Sequence, residues 1–240
     1  MHIAILGLGP SLDGYTGLTK RAGGRRAFCD ETWCVNALGA VFDCDRTFHM
    51  DDVRIQEIRA AALPDSNIAR MLAWIKTSPG PIVTSRAHPE YPGLVEFPLR
   101  DVLERFPMGY FNNTAAYAVA YALFIGATKI SLFGCDYTYP NVHHAEKGRA
   151  CLEFWLGMAA EMGVQLSVPK VSSLLDACHS QADRFYGYDT LDLALSRDEA
   201  GALVIERTVR DTLPTAEQIE QSYDHSAPIS EQHLKAHHGP

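Results

Sequence analysis

Seven short, mostly apolar runs are spread along this chain, at residues 3–6, 32–35, 47–50, 81–84, 94–97, 130–133 and 164–168. Most are separated by stretches long enough to hold a helix. Runs of four or five residues without polar alternation suit strands buried on both faces. Helices between such strands imply crossover connections, which run parallel strands side by side. The spacing therefore predicts an α/β, doubly wound, mainly parallel, Rossmann-like sheet over residues 1–178. Residues 179–240 form a small C-terminal extension, with a hairpin expected between 184–189 and 202–209 and a helix at 216–223. The polar end HLKAHHGP reads as a frayed or partner-bound tail, and the extension as an acceptor-side cover or homo-oligomer contact.

Composition narrows the partners. A formal net charge of −8 argues against non-specific nucleic-acid binding, which needs a basic face. No apolar run approaches a membrane span, and the N-terminus lacks the charged flank and cleavage site of a leader. The six cysteines form no C-x-x-C pair. Cys29 and Cys34 have no second ligand pair at zinc spacing, so no metal site is expected there. A cytoplasmic protein with reduced thiols follows as the expectation.

In an open parallel sheet, ligands gather beyond the carboxyl ends of the strands. Gly7, Gly9, Pro10 and Ser11 follow the first run. The glycines permit a tight turn and close approach, and Ser11 offers a hydroxyl and an amide to a phosphate at a helix start. The third glycine of a dinucleotide fingerprint is displaced to Gly14, so an ordinary strand-to-helix turn is the competing reading. Asn36 ends the second run and could read a base or ribose through its amide. Asp51 and Asp52 could bind a cation or a ribose, or cap the helix that follows.

The densest stretch is NNTAAYAVAYALFIGATKISLFGCDYTYPNVHHAEK, residues 112–147. Asn113 or Thr114 caps an alanine-rich helix. The strand at 130–133 leads into Gly134 and Asp136, then Tyr137, Tyr139, His143 and His144. Histidine suits a general base near neutral pH, and tyrosine hydroxyls can stabilise a leaving phosphate. Alternatively, the histidines simply belong to a polar loop before a helix expected from residue 146. Asp136 could orient a histidine, bond a ribose or cap the strand.

Taken in order, ILGLGPSLD, CVNA, the 112–137 stretch, HHAEKGRACLEFW and VSSLL resemble the bacterial lipooligosaccharide sialyltransferases. They also resemble the related superfamily of flagellin-glycosylation accessory factors and hydroxymethylpterin pyrophosphokinases. The resemblance covers residues 1–177. It implies that Gly7, Gly9, Pro10, Ser11, Asn36, Asn113, Thr114, Ser172 and Ser173 surround a nucleotide. Tyr137 and Tyr139 would hold the leaving phosphate, and His143 or His144 would act as base. The implied activity is glycosyl transfer from a nucleotide-sugar donor, a CMP-sugar or another, to an unknown acceptor, with no metal or other cofactor required. The family's carboxylate-binding arginine has no counterpart in Gly109-Tyr110-Phe111-Asn112, which points away from sialic acid as the donor sugar. The alternatives are a pyrophosphokinase-like transfer from ATP, which would use magnesium, and a catalytically silent nucleotide-binding protein.

Overall fold

The structure is a computed structural model and describes residues 1–138, 141–178, 185, 187, 188 and 190–222. The chain divides into two compact units, Met1–Leu175 and Asp176–Pro240.

The first unit is the expected α/β fold. Its chain order is β1 (His2–Leu6), α1 (Leu12–Ala22), α2 (Arg25–Phe28), β2 (Glu31–Val35), a 3-10 turn (Asn36–Ala40), β3 (Arg46–Phe48), α3 (Val53–Ala62) and α4 (Asn67–Thr77). It continues through β4 (Ile82–Thr84), β5 (Leu94–Glu96), α5 (Leu99–Arg105), α6 (Thr114–Phe124), β6 (Lys129–Phe133), α7 (Val142–Glu161) and β7 (Gln165–Ser167). The sheet order is β5-β4-β3-β2-β1-β6-β7, and every neighbouring pair is parallel. From β1 the chain winds outward through β2 to β5, then returns to add β6 on the other side of β1. The winding reverses between β1 and β6, the place in such a sheet beside which ligands gather.

Burial on both faces accounts for the uninterrupted apolar runs. Ile3 and Ile5 of β1 face one layer, with Trp33, Phe48, Ala116, Ala120, Leu152 and Trp155. Ala4 and Leu6 face the other, with Tyr15, Cys34 and Phe133. Helix α6 is alanine-rich because it lies close on the sheet: Ala116, Ala118, Ala120 and Ala122 have no exposed surface. Asn113 caps it, accepting from the Ala116 amide at 2.9 Å. Asp52 caps α3, accepting from the Arg54 amide at 2.8 Å.

Three expectations shift. Strand β3 stops at Phe48, so His49 and Met50 lie beyond it. Helix α7 begins at Val142, four residues early, because Asn141 caps it through the His144 amide at 3.0 Å. His143 and His144 therefore sit in its first turn. In the second unit the hairpin joins β8 (Leu191–Arg197) to β9 (Leu203–Val209), so its first strand lies after the expected 184–189. The alternation Leu191, Leu193, Leu195 sets its register against Val209, Arg207 and Ile205. Asp198 ties the turn by accepting from the Ala200 and Ala202 amides. Among the described residues these two strands form a two-stranded sheet of their own. Helix α8 (Ala216–Ser222) follows. The expected tail at 233–240 lies outside the described residues.

Candidate functional site

The loops after β1 and β6 are bound together before any ligand is considered. Gly7 donates its amide to the Phe133 carbonyl and Gly9 to the Gly134 carbonyl, both at 2.7 Å. A Cβ on Gly7 would lie 2.4 Å from the Gly134 oxygen, and one on Gly9 would lie 2.6 Å from an Asp136 oxygen. Gly134 adopts φ +68 and passes so close to Gly7 that a Cβ would lie 2.1 Å from the Gly7 oxygen. The glycines here are required by the approach of two loops to one another.

Ser11 and Asp136 complete this junction. The Ser11 amide donates to Asp136 Oδ2 at 2.7 Å, and its hydroxyl donates to Oδ1 at 2.6 Å. The same hydroxyl accepts from the Gly134 amide at 2.7 Å. Both side chains are 1% exposed. Ser11 makes no side-chain cap of its own for α1. The Asp136 carboxyl instead reaches from β6 to the start of that helix and occupies the position where an anion would sit. The Ser11 hydroxyl and amide, expected at a phosphate, and the Asp136 carboxylate, expected at a histidine or ribose, bond to one another here. Gly9, Pro10 and Ser11 do not line the adjoining crevice.

The crevice itself has a volume of ≈ 260 Å³. Gly7, Asn36, Asn113, Thr114, Tyr137 and His144 line it, as do Leu8, Asp51 and Cys135. Of the two neighbouring acids, Asp52 caps α3 and Asp51 lines the crevice. Asn36 sits just past β2 at φ +54, a left-handed conformation that asparagine tolerates, and this turns the chain into the 3-10 segment. Its Oδ1 lies 3.1 Å from His49 Nδ1. Since Val35 pairs with Phe48, the two residues leave adjacent strands at the same level. His49 has no exposed surface, and its Nε2 has no partner among the described residues. Burial holds its pKa below the usual histidine value, with Asp51 opposing the shift.

The entrance to α6 is tightly held. The Asn113 carboxamide accepts from the Ala116 amide and the Tyr137 hydroxyl, and donates to Asn112 Oδ1 and the Gly148 carbonyl. Asn112 donates to the Lys147 carbonyl at 3.0 Å. Tyr137 adopts φ +50, and a Cβ on Gly148 would lie 2.4 Å from its ring. Its phenol is thereby directed to the helix cap. Phe111, in the segment that lacks the family's arginine, stacks between Tyr117 and Trp155 at centroid distances of 4.3 and 4.9 Å. The Trp155 indole donates to the Tyr110 carbonyl at 2.9 Å. Burial, reinforced by Asp136, pushes the Cys135 thiol up to about 12, so it faces the crevice protonated.

His144 lines the crevice and His143 does not. Tyr139 lies outside the described residues. Ser172 is buried, its hydroxyl accepting from the Leu174 amide at 3.3 Å, and Ser173 donates to the Asp136 carbonyl. These serines fasten a turn beneath the β6 loop and do not reach the crevice. Sequence reasoning missed His49, whose signal was only its position beside the acids Asp51 and Asp52.

No helix among the described residues is long and apolar enough to cross a membrane. No protein-family model matches the sequence, and no curated protein matches it. The solved structures similar to this chain include the sialyltransferase CstII from Campylobacter jejuni in complex with a substrate analogue, cytidine-5'-monophosphate. It is 14% identical, with a TM-score of 0.40, and the match covers 92% of this chain and 98% of that one. A mutant of the α-2,3/8-sialyltransferase CstII is also similar, at 14% identity and a TM-score of 0.34, over 92% of this chain and all of that one.

Proposed function

We propose that the crevice beyond β1 and β6 binds a nucleotide and that the chain is a transferase of the glycosyltransferase type, taking a nucleotide-sugar donor. The observation that carries this reading is the convergence of Asn36, Thr114 and His144 on one crevice at the reversal of the sheet. Thr114 opens α6, so its amide and that of Ala115 are available to the leaving phosphate with the positive end of the helix dipole. Asn36 and Asp51 suit the base and the ribose hydroxyls. His144 takes the role of base, removing the proton from the acceptor hydroxyl as it attacks the sugar. Tyr137 acts by fixing the Asn113 cap. Ser11 and Asp136 hold the two loops in register. The crevice is at the small end for ligand sites, which commonly span about 300–1,000 Å³. A nucleotide would fill it and direct its sugar outward, toward the acceptor. The missing arginine keeps the donor sugar away from sialic acid.

The test is thermal stabilisation by CMP, UDP, GDP and ATP, with and without magnesium, followed by slow donor hydrolysis in His144→Ala. Stabilisation by a free nucleotide without magnesium supports glycosyl transfer. A second reading has one observation in its favour: Asp51 lines the crevice with no lysine or arginine beside it among the described residues. That arrangement suits a triphosphate carried by magnesium, as in a pyrophosphokinase-like transfer. Stabilisation by ATP with magnesium alone would favour it. Tight nucleotide binding without any turnover would favour a silent binding protein.

A further inference from the structure

A different feature lies on the β2–β3 side of the sheet. Cys34 is in β2, wholly buried, and pairs across the sheet with Thr47 of β3. Cys44 lies three residues before Thr47, and its sulfur is 3.6 Å from the Thr47 hydroxyl. Both cysteines therefore converge on one threonine from adjacent segments. Both pack in the same apolar cluster with Phe42 and Leu38. They differ in access. Cys34 has no exposed surface, whereas Cys44 is partly exposed on the wall of a separate cavity of ≈ 200 Å³. Asp43, Asp45, Trp74 and Pro81 share that wall.

We propose that Cys34 and Cys44 form a hydroperoxide-responsive dithiol, in which Cys44 is the thiol that is oxidised and Cys34 the thiol that closes an intramolecular disulfide. The neighbouring Cys34 and Thr47 groups lower the Cys44 pKa, against burial and the acids Asp45 and Asp43. Cys34 is shifted the opposite way by Cys44 and by burial, with Arg25 opposing. Access sets the division of roles: the thiolate is the nucleophile, and Cys44, on the cavity wall, is the one of the two thiols that a small oxidant can reach. The Cys44 thiolate attacks one oxygen of hydrogen peroxide, the O–O bond breaks, and hydroxide leaves. Cys44 is now a sulfenic acid. Cys34 then loses its proton and attacks the Cys44 sulfur. The S–S bond forms, the S–O bond breaks, and the departing hydroxide takes up the proton as water. Two thiols have given up two electrons, and one peroxide has become two waters. The bridge would close a loop over residues 35–43, which contains Asn36.

The test uses the full chain with Cys178→Ala, which removes the exposed thiol. A few equivalents of hydrogen peroxide are followed by alkylation of remaining thiols and non-reducing peptide mapping. The expected product lacks the mass of two hydrogens, links the Cys34 and Cys44 peptides, and is reversed by dithiothreitol. In Cys34→Ser, dimedone should trap Cys44 as its sulfenic adduct. In Cys44→Ser, the rate of thiol loss should fall at least tenfold. Recovery of Cys34 and Cys44 both alkylated after peroxide exposure that oxidises another cysteine would overturn the proposal. So would linkage of either to a different cysteine. Mapping in the parent chain decides the matter even if a variant fails to fold.

Discussion

Ser11 and Asp136 lie 125 residues apart in the chain and share two hydrogen bonds, from the Ser11 amide at 2.7 Å and its hydroxyl at 2.6 Å. An acid from the end of β6 thereby caps the helix that follows β1. The bond sits at the reversal of the sheet, so it fixes the floor of the crevice without entering it.

Asp136→Ala should cost about 2–4 kcal/mol in urea unfolding, since it strands the buried Ser11 amide and leaves the Ser11 hydroxyl proton without its acceptor. Ser11→Ala should cost less, about 1–2 kcal/mol, because the Ser11 amide keeps Asp136. The double variant should show a coupling above about 0.5 kcal/mol. Strict additivity would mean that the pair does not act as a unit.

Glycines separate packing from backbone preference. Gly134→Ala places a Cβ 2.1 Å from the Gly7 oxygen at φ +68, and backbone on both sides cannot yield. A loss above about 3 kcal/mol is expected. Gly23 also has positive φ, at +87, but a Cβ there meets nothing within 4 Å. Gly23→Ala should cost only about 1 kcal/mol. Equal losses in chemical denaturation would refute the loop-to-loop explanation for Gly134.

Acid should weaken the fold partly through His49. Its folded-state pKa is lowered by burial, so the unfolded chain binds the proton more readily. The stability is intact above the unfolded value of about 6.5 and declines as pH falls through it, by at most about 1.4 kcal/mol per pH unit for one group. His2, also lowered by burial, contributes in the same direction. His49→Gln should flatten the fall in melting temperature between pH 7.5 and 5.5 relative to the parent. An unchanged slope would show that His49 is not the titrating group.

Much of the scaffold is readable from the chain because burial on both faces leaves uninterrupted apolar runs, as at Ile3–Leu6 and Lys129–Phe133. The alanine content of α6 likewise announces a helix packed closely on a sheet. The loop Gly7 to Ser11 was harder. Glycine, proline and serine at a strand end suit a ligand or a second loop equally well, and only the sheet order shows that Asp136 is the neighbour. Tyr137 was similar: its ring fits over Gly148, and its phenol is directed to Asn113. His49 was invisible for a different reason. Its meeting with Asn36 depends on the β2–β3 register, which two short strands cannot announce by themselves. The hairpin start at Leu191 was misplaced because a half-exposed two-stranded sheet has only weak alternation to mark it.

The two histidines at the start of α7 should part company in catalysis. His144→Ala should lower slow donor hydrolysis by about 100-fold or more, the usual scale for a lost general base. His143→Ala, which removes a side chain outside the crevice lining, should stay within about threefold. The reverse order in steady-state rates would move the base to His143.

In the proposed function the nucleotide meets the entrance of α6 and the Asn36 turn, while the glycine–serine loop only supports them. Calorimetric titration of CMP, UDP, GDP and ATP, each with and without magnesium, into the parent chain, Thr114→Val, Asn36→Ala and Ser11→Ala tests it most directly. At least one nucleotide should bind, Thr114→Val and Asn36→Ala should each weaken it about tenfold or more, equivalent to about 1.4 kcal/mol, and folded Ser11→Ala should bind within about threefold of the parent. Binding of none of the four, or binding lost in folded Ser11→Ala and kept in the other two, would contradict it.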